Sequence, residues 1–238
     1  MLSPFNLPDG IFLLITDELS SPADFLVHRT LISHIKEAKN AKSVVLSVSE
    51  GIERWKAIAA KSNVSLSQHI TTGAVNFVDV MSHVQSSLDS GQPSLRPLFD
   101  LVNASLQSHD APSLVILDDI ASLQWIGFSL LDISRFTRAL CGICRKANVT
   151  LLIRHHNVTP EEPDDLFRHV LHLCTYHLEV RPLSSGRSGS VSGEIALHPG
   201  MSTPPSAVKL IPRSSAIQYR LTDTGAVFFE RGTGGGVL

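Results

Sequence analysis

Cysteine and long apolar runs are both scarce in this sequence, and each scarcity excludes a class of protein. Three cysteines among 238 residues are too few for a disulfide framework, and so low a count is typical of a reducing compartment. No apolar run approaches the roughly 20 residues that a membrane-spanning helix needs, so we do not expect an integral membrane protein. Acidic residues surround the first apolar stretch and no basic segment precedes it, so the N-terminus does not resemble a signal peptide.

Charge is sparse as well, and it is unevenly distributed. Charged residues make up 18% and apolar residues 43% of the chain, with a mean hydropathy of +0.14, which excludes wholesale disorder. Residues 1–134 carry 8 basic and 14 acidic residues, whereas residues 135–238 carry 12 basic and 8 acidic ones. A basic half favours an anionic partner, and the simpler interpretation is that these charges only keep the protein soluble.

Short β-branched apolar runs alternate with amphipathic helical segments through the first three quarters of the chain. The five runs cover residues 11–15, 43–48, 75–80, 113–118 and 149–153. Near-continuous apolar runs are typical of strands covered on both faces, as in a parallel sheet. The sequence therefore predicts a central, mostly parallel sheet flanked by helices.

The helices are predicted in the intervals between these runs. The first opens with Ser21 as N-cap and Pro22 at the first helical position. A longer helix over residues 129–147 places its apolar side chains on one face and three arginines on the opposite face. Another is expected to begin at Pro163, with two aspartates in its first turn.

The pattern changes near residue 174, where short strands separated by glycine, serine and proline predict an antiparallel extension of the sheet. These strands are expected at residues 175–180, 193–197, 207–211, 217–221 and 226–229. Residues 183–193 are small and polar, which predicts a flexible loop. The prediction is one α/β domain over residues 1–238, parallel first and antiparallel at its C-terminal end.

The apolar run that ends in Asp118 and Asp119 resembles a Walker B motif, in which a carboxylate helps to hold nucleotide-bound Mg²⁺. The alternative is that these aspartates only cap a turn. The companion phosphate loop is absent, because residues 16–24 contain no glycine and no lysine and include three carboxylates. We therefore expect no nucleotide cofactor in this chain, and we see no G-x-G-x-x-G dinucleotide motif after the first strand.

Other reactive residues give weaker signals. Cys141 and Cys144 lie late in a helix, with Cys144 in its apolar stripe, which favours buried packing cysteines over a redox or zinc site. Ser122, Asp118 and His155 have the residue types of a hydrolase catalytic triad, but the sequence has no G-x-S-x-G nucleophile elbow. We therefore predict no catalytic residue and no metal ligand.

Two stretches carry a specific resemblance to a known family. Residues 117–127 (LDDIASLQWIG) and the ending 227–238 (VFFERGTGGGVL) are similar to the central motif and the C-terminus of the sixth subunit of the Elongator complex. That family has a RecA-like fold without the Walker A motif. The resemblance covers nearly the whole chain in layout, although residues 183–205 have no match in it.

The resemblance implies a non-catalytic subunit that forms a heterohexameric ring with the fourth and fifth Elongator subunits. Such a ring binds tRNA and supports the catalytic Elongator subcomplex in modifying the wobble uridine. The expected location is the cytoplasm, with the nucleus as a second location. Pore-facing loops predict tRNA contacts at Arg154, His155, His156 and Arg187. The alternatives are a standalone α/β enzyme such as a hydrolase, and a pseudo-ATPase regulator related to recombination proteins.

Overall fold

A nine-stranded sheet organises the part of the chain that the computed structural model describes. That part comprises residues 4–37, 41–107, 112–159, 162–183, 185–186, 188, 190–205, 208–223 and 225–231. The strands are β1 Phe12–Glu18, β2 Ser43–Ser47, β3 Val75–Asp79, β4 Leu114–Leu117, β5 Thr150–Asn157, β6 Tyr176–Arg181, β7 Gly193–Pro199, β8 Ile217–Thr222 and β9 Gly225–Phe229. The helices are α1 Asp24–Glu37, α2 Ile52–Lys61, α3 Leu66–Thr71, α4 Val80–Asp89, α5 Arg96–Gln107, α6 Ala121–Trp125, α7 Leu130–Lys146 and α8 Asp165–Leu173.

The sheet is parallel for two thirds of its width. Its strand order is β3-β2-β4-β5-β1-β6-β7-β8-β9. The first six strands in this order, from β3 through β1 to β6, pair in parallel with their neighbours. The last three strands pair antiparallel with their neighbours. This confirms the predicted fold class of a mostly parallel sheet with an antiparallel C-terminal extension, although the segment 175–180, expected among the antiparallel strands, forms β6 and pairs in parallel with β1.

Each face of the sheet is covered by its own hydrophobic core, as the continuous apolar runs predict. Leu13 and Ile15 of β1 pack into one core with α1, α2 and α3, while Phe12 and Leu14 pack into the other with α4, α5, α7 and α8. The alternation follows from the strand period of two, which turns successive side chains to opposite faces. All seven residues of β1 are buried.

Two helices begin later than the sequence predicts. The first, α1, starts at Asp24, and the N–H group of Ala23 is bound by the carboxylate of Asp17 rather than by the predicted N-cap Ser21. The helix expected to begin at Pro163 begins at Asp165 instead. In both cases a side-chain carboxylate supplies the acceptor that the free N–H groups of a helix start require.

One predicted strand is absent. In the described part of residues 207–211, Ile211 forms an isolated bridge to Leu197 of β7, and no strand is formed. Pro204 and Pro205 precede this segment and Pro212 follows it, and proline removes a ladder donor and restricts the residue before it. None of the described helices is long and apolar enough to cross a membrane.

Candidate functional site

The strands β4, β5 and β1 are neighbours in the sheet and run in parallel. Their carboxyl ends therefore lie together, at what we call the carboxyl edge of the sheet. In open parallel sheets this edge is where ligands bind. Here β1 ends in the buried pair Asp17 and Glu18, and β5 ends in the sequence Arg154-His155-His156-Asn157. The predicted pore-facing residues of β5 and the predicted Walker-B-like residues after β4 therefore belong to the same edge.

The centre of this edge is a set of contacts around Asp17, which we call the Asp17 cluster: Asp17, Arg154, His156 and the N–H group of Ala23. Asp17 is fully buried, and its Oδ2 accepts hydrogen bonds from Ala23 N at 2.6 Å and from Arg154 Nε at 2.9 Å. Arg154 Nη2 lies 2.8 Å from the same oxygen, and His156 Nδ1 lies 3.0 Å from Oδ1. The strand register places Asp17 directly opposite His156.

The Asp17 cluster has the chemistry of an anion site that already contains its anion. Backbone N–H groups at the start of a helix bind phosphate after the first strand of nucleotide-binding folds, and an arginine is a common partner of a phosphate or carboxylate. Burial alone would raise the pKa of Asp17, but the bonds from His156, Arg154 and Ala23 hold that pKa below its usual range. The hydrogen bond that His156 donates to Asp17 raises the pKa of His156. The carboxylate therefore stays ionised and neutralises Arg154.

The other two carboxylates of residues 16–24 are also paired. Glu18 lies 3.5 Å from Arg181 Nε, and Asp24 accepts a hydrogen bond from Arg54 at 3.0 Å. Each carboxylate in the position of a phosphate loop therefore faces a cation of this chain.

Asp118 is hydrogen-bonded to the loop that follows β2. Its Oδ1 accepts the N–H groups of Val48 at 2.7 Å and Ser49 at 3.4 Å, and the Ser47 hydroxyl donates to its Oδ2. Burial raises the pKa of Asp118 to about 6, against these hydrogen bonds. The contacts are those of a turn-capping aspartate, the alternative to a Walker B role.

Asp119 caps the next helix in the same manner. Its carboxylate accepts the N–H groups of Ala121 at 3.0 Å and Ser122 at 3.3 Å, and the Ser122 hydroxyl at 2.6 Å. His155 instead contacts Asn157 and Asp164. The three members of the suggested hydrolase triad, Ser122, Asp118 and His155, therefore have different partners and do not form a catalytic relay.

His155 belongs to the opposite face of the sheet from the Asp17 cluster. It is fully buried, and its ring lies 5.8 Å from that of Phe167, which in turn lies 5.6 Å from the ring of His177. His177 Nε2 is 2.7 Å from the hydroxyl of Thr16. Burial lowers the pKa of His177 to about 4, so this histidine packs as a neutral ring in the interior.

A second charged group was not indicated by the sequence, and we call it the Glu179 cluster: Glu179, Arg213, His198 and Arg181. Glu179 accepts two hydrogen bonds from Arg213, each 2.6 Å long, and its Oε2 lies 3.1 Å from His198 Nε2. Although burial opposes ionisation, the bonds from His198 and Arg213 lower the pKa of Glu179 to about 2. Arg213 lies 34 residues from Glu179 in the chain, so no local sequence pattern could predict this ion pair.

The remaining candidate residues give no assembled site in the described part of the chain. The three cysteines are free and buried, and burial raises the pKa of Cys144 and of Cys174 to about 12. No cluster of three histidine, cysteine or carboxylate side chains suited to a metal occurs among the described residues. Arg187 lies outside the described residues, as does the glycine-rich stretch 232–238.

Comparison with known proteins gives one family and several relatives of similar length. The chain matches the family described as Elongation complex protein 6 over residues 1–223. It is 25% identical to the Elongator complex protein 6 of Danio rerio over 262 residues, which covers 99% of this chain and 96% of the relative. The Elongator complex protein 6 of Xenopus laevis is 26% identical over 256 residues, covering 96% of this chain and 93% of the relative.

Among solved structures, the chain resembles a KaiC-like protein from the hyperthermophilic archaeon Pyrococcus horikoshii OT3. The TM-score is 0.66 at 14% sequence identity, and the superposition covers 94% of this chain and 91% of the archaeal one. At this identity the likeness concerns the fold, and it confirms the predicted RecA-like arrangement of the sheet.

Proposed function

Because this chain belongs to the Elongation complex protein 6 family, we propose that it is a non-catalytic subunit of the Elongator complex. In this role it assembles with the fourth and fifth subunits into a heterohexameric RecA-like ring that binds tRNA and supports wobble-uridine modification. Its place of action is the cytoplasm, with the nucleus as a second location. The observation that carries the proposal is the family match over residues 1–223, together with relatives of that name that align over nearly the whole chain.

Exposed apolar side chains at the carboxyl edge support an assembly role. Glu18 and Asn157 are paired at the ends of β1 and β5, and the residues that follow them, Leu19 and Val158, are 84% and 60% exposed. Trp125, which ends α6 beyond β4, is 64% exposed. Large apolar side chains left in water at one end of a sheet are suited to contact with a neighbouring subunit.

Co-expression with the fourth and fifth subunits tests the ring. We expect a complex with two copies of each subunit in light scattering after size exclusion. Leu19→Asp with Val158→Asp should weaken the assembly, whereas Met201→Asp, at a residue that is 71% exposed away from this edge, should leave it intact. A monodisperse monomer without affinity for the other two subunits would contradict the proposal.

A lack of nucleotide binding follows from the Asp17 cluster. A triphosphate would have to displace a buried carboxylate from Ala23 N and Arg154, or bring its negative charge beside Asp17. Titration calorimetry of the chain with Mg-ATP and Mg-GTP should therefore show no heat of binding. A dissociation constant in the micromolar range would instead support the pseudo-ATPase alternative.

The tRNA role rests on the loops beyond the carboxyl ends of β4 and β5. His156 is part-exposed, so it offers tRNA a ring for stacking. Arg154 lies behind it, with its charge engaged by Asp17, and we assign it the positioning of His156. Arg187 supplies a further cation for a phosphate.

The test compares tRNA binding by the assembled ring at several salt concentrations. His156→Ala with Arg187→Glu should lower the affinity and flatten its salt dependence, because fewer phosphates are neutralised. Arg96→Glu, at an exposed helical position that pairs with Asp100, serves as the control. Wild-type affinity and salt slope in an intact ring would remove these residues from the tRNA site.

A further inference from the structure

Helix α7 carries an unusual excess of positive charge on its exposed side. Four basic residues, Arg135, Arg138, Arg145 and Lys146, are exposed there, and we call them the α7 stripe. Their spacing keeps them within one sector of the helix and extends them over roughly 16 Å at the α-helical rise. The only carboxylate in the helix is Asp132, in its first turn, where it accepts a hydrogen bond from Ser129.

The four cations of the stripe have no described carboxylate partner, and the printed contact of Arg145 is to Cys141 Sγ at 3.9 Å. Among the described residues, no carboxylate oxygen lies within 4 Å of a charged nitrogen of any of its four members. The opposite face of α7 is packed into the core through six buried side chains. The helix is therefore held firmly on one side while the other side presents positive charge to solvent.

A groove of approximately 630 Å³ runs beside the N-terminal half of the stripe, between α7 and α8. Its lining combines apolar side chains, Leu130, Leu131 and Ala139, with the basic side chains of Arg135 and Arg138. His169 of α8 contributes to the same lining. Leu131 is 56% exposed, so an apolar surface lies open next to arginines that no described carboxylate contacts within 4 Å.

We propose that the α7–α8 groove binds an acidic, leucine-rich segment of a protein partner. Apolar side chains of that segment would cover Leu130, Leu131 and Ala139, and its carboxylates would pair with the guanidinium groups of Arg135 and Arg138. A partner of this composition satisfies both kinds of lining at once, and charge complementarity sets its orientation along the stripe. An RNA strand could pair with the cations and stack on His169, but it would leave the apolar side chains of Leu130, Leu131 and Ala139 uncovered.

This surface is separate from the carboxyl edge. The groove is built from α7 and α8, whereas the exposed residues Leu19 and Val158 follow β1 and β5. The inference therefore stands whether or not the ring assembles as proposed, and loss of groove binding would leave the ring contacts untouched.

The first experiment uses fluorescence anisotropy to measure the binding of a labelled synthetic peptide to the full chain. The peptide carries leucine at helical spacing and glutamate at positions between the leucines. Arg135→Glu with Arg138→Glu should weaken binding at least tenfold, and so should Leu131→Asp. The control, Arg96→Glu with Arg220→Glu, makes the same change in net charge at exposed positions elsewhere and should stay within twofold of wild type. Binding that is absent, or that none of the groove substitutions weakens, overturns the proposal.

Two further probes identify the class of ligand. A peptide with lysine in place of each glutamate and a single-stranded oligouridylate of equal charge should both bind at least tenfold more weakly than the acidic peptide. Equal or tighter binding of either one overturns the proposal, and tighter binding of the oligouridylate would make the stripe a nucleic-acid surface.

A second experiment uses the natural complex. The photoreactive residue p-benzoylphenylalanine replaces Leu131, and the crosslinked segment is sequenced by mass spectrometry after irradiation of the purified assembly. The expected product is a segment of another subunit that carries net negative charge and several leucines. A crosslink to RNA, a crosslink to a basic segment, or none at all overturns the proposal.

Discussion

The Asp17 cluster and the α7 stripe place the same residue type in opposite circumstances. Arg154 is 11% exposed in its side chain, and Asp17 binds it through two nitrogens. Arg135 and Arg138 are exposed, and no described carboxylate pairs with either of them. A buried cation must be neutralised where it lies, because its desolvation is costly, whereas an exposed one keeps its charge available. The first arginine therefore serves the fold and the other two are available to a partner.

The comparison is sharpest at Asp17, where the largest effect is expected. Asp17→Ala would leave Arg154 buried without its counter-charge and Ala23 N–H without its acceptor. We expect a loss of about 3–5 kcal/mol in the free energy of unfolding, the cost of breaking a buried pair from one side. Urea denaturation followed by circular dichroism measures it.

Asp24→Ala is the matched control, because Asp24 is an aspartate of the same segment whose partner Arg54 is 58% exposed. Its cost should stay below about 1 kcal/mol, the range of exposed ion pairs. Equal costs at the two positions would mean that burial does not distinguish these pairs and would break the comparison.

The Glu179 cluster should follow the same rule, with a smaller effect. Glu179 is buried, but its partner Arg213 is 61% exposed, so solvent screens part of the interaction. Glu179→Gln should cost about 1–3 kcal/mol at neutral pH. Because the pKa of Glu179 is lowered from 4.5 to about 2, its contribution is present above pH 4.5 and is lost as the pH falls through about 2.

Denaturation of wild type and Glu179→Gln across this acidic range provides the measurement. The difference between the two proteins should shrink as the pH is lowered below 4.5. Lys56→Gln is the control, because its pair with the exposed Glu53 predicts little change at any pH. A pH-independent difference would show that the cluster does not stabilise the ionised carboxylate.

Asp118 separates capping from catalysis. Asp118→Asn removes a buried charge but weakens the bonds to Val48 and Ser49, so we expect a cost of about 1–2 kcal/mol. Since burial raises the pKa of Asp118 from 3.8 to about 6, wild type loses stability as the pH rises through that interval. The difference from the variant should therefore narrow with rising pH, the opposite of the trend for Glu179.

The same variant tests the Walker-B-like interpretation. If Asp118 only holds the loop after β2, the modification activity of an Elongator complex that contains Asp118→Asn should stay within a few fold of wild type. Any ATP hydrolysis would belong to the proposed ring and should also be unchanged; its loss without a loss of assembly would restore a nucleotide role to this position.

The central strands β1, β2 and β4 could be predicted because each is a short, mostly apolar run that is buried along its whole length. The contacts of the site, in contrast, depend on which strands become neighbours. The sequence places Asp17 and Arg154 137 residues apart, and only the β1–β5 pairing brings them together. Three acids in residues 16–24 did predict a segment unsuited to phosphate. What the pattern could not indicate is that one of these acids takes the place of the anion.

The smallest effect on stability is expected at the α7 stripe. Arg135→Glu with Arg138→Glu should change the free energy of unfolding of the isolated chain by no more than about 0.5 kcal/mol, because neither side chain has a described carboxylate to lose. Urea denaturation of the variant beside Asp17→Ala measures both ends of the comparison on one scale. A loss of several kcal/mol in the free energy of unfolding would mean that these arginines, like Arg154, stabilise the fold. The groove would then not be a surface available to a partner.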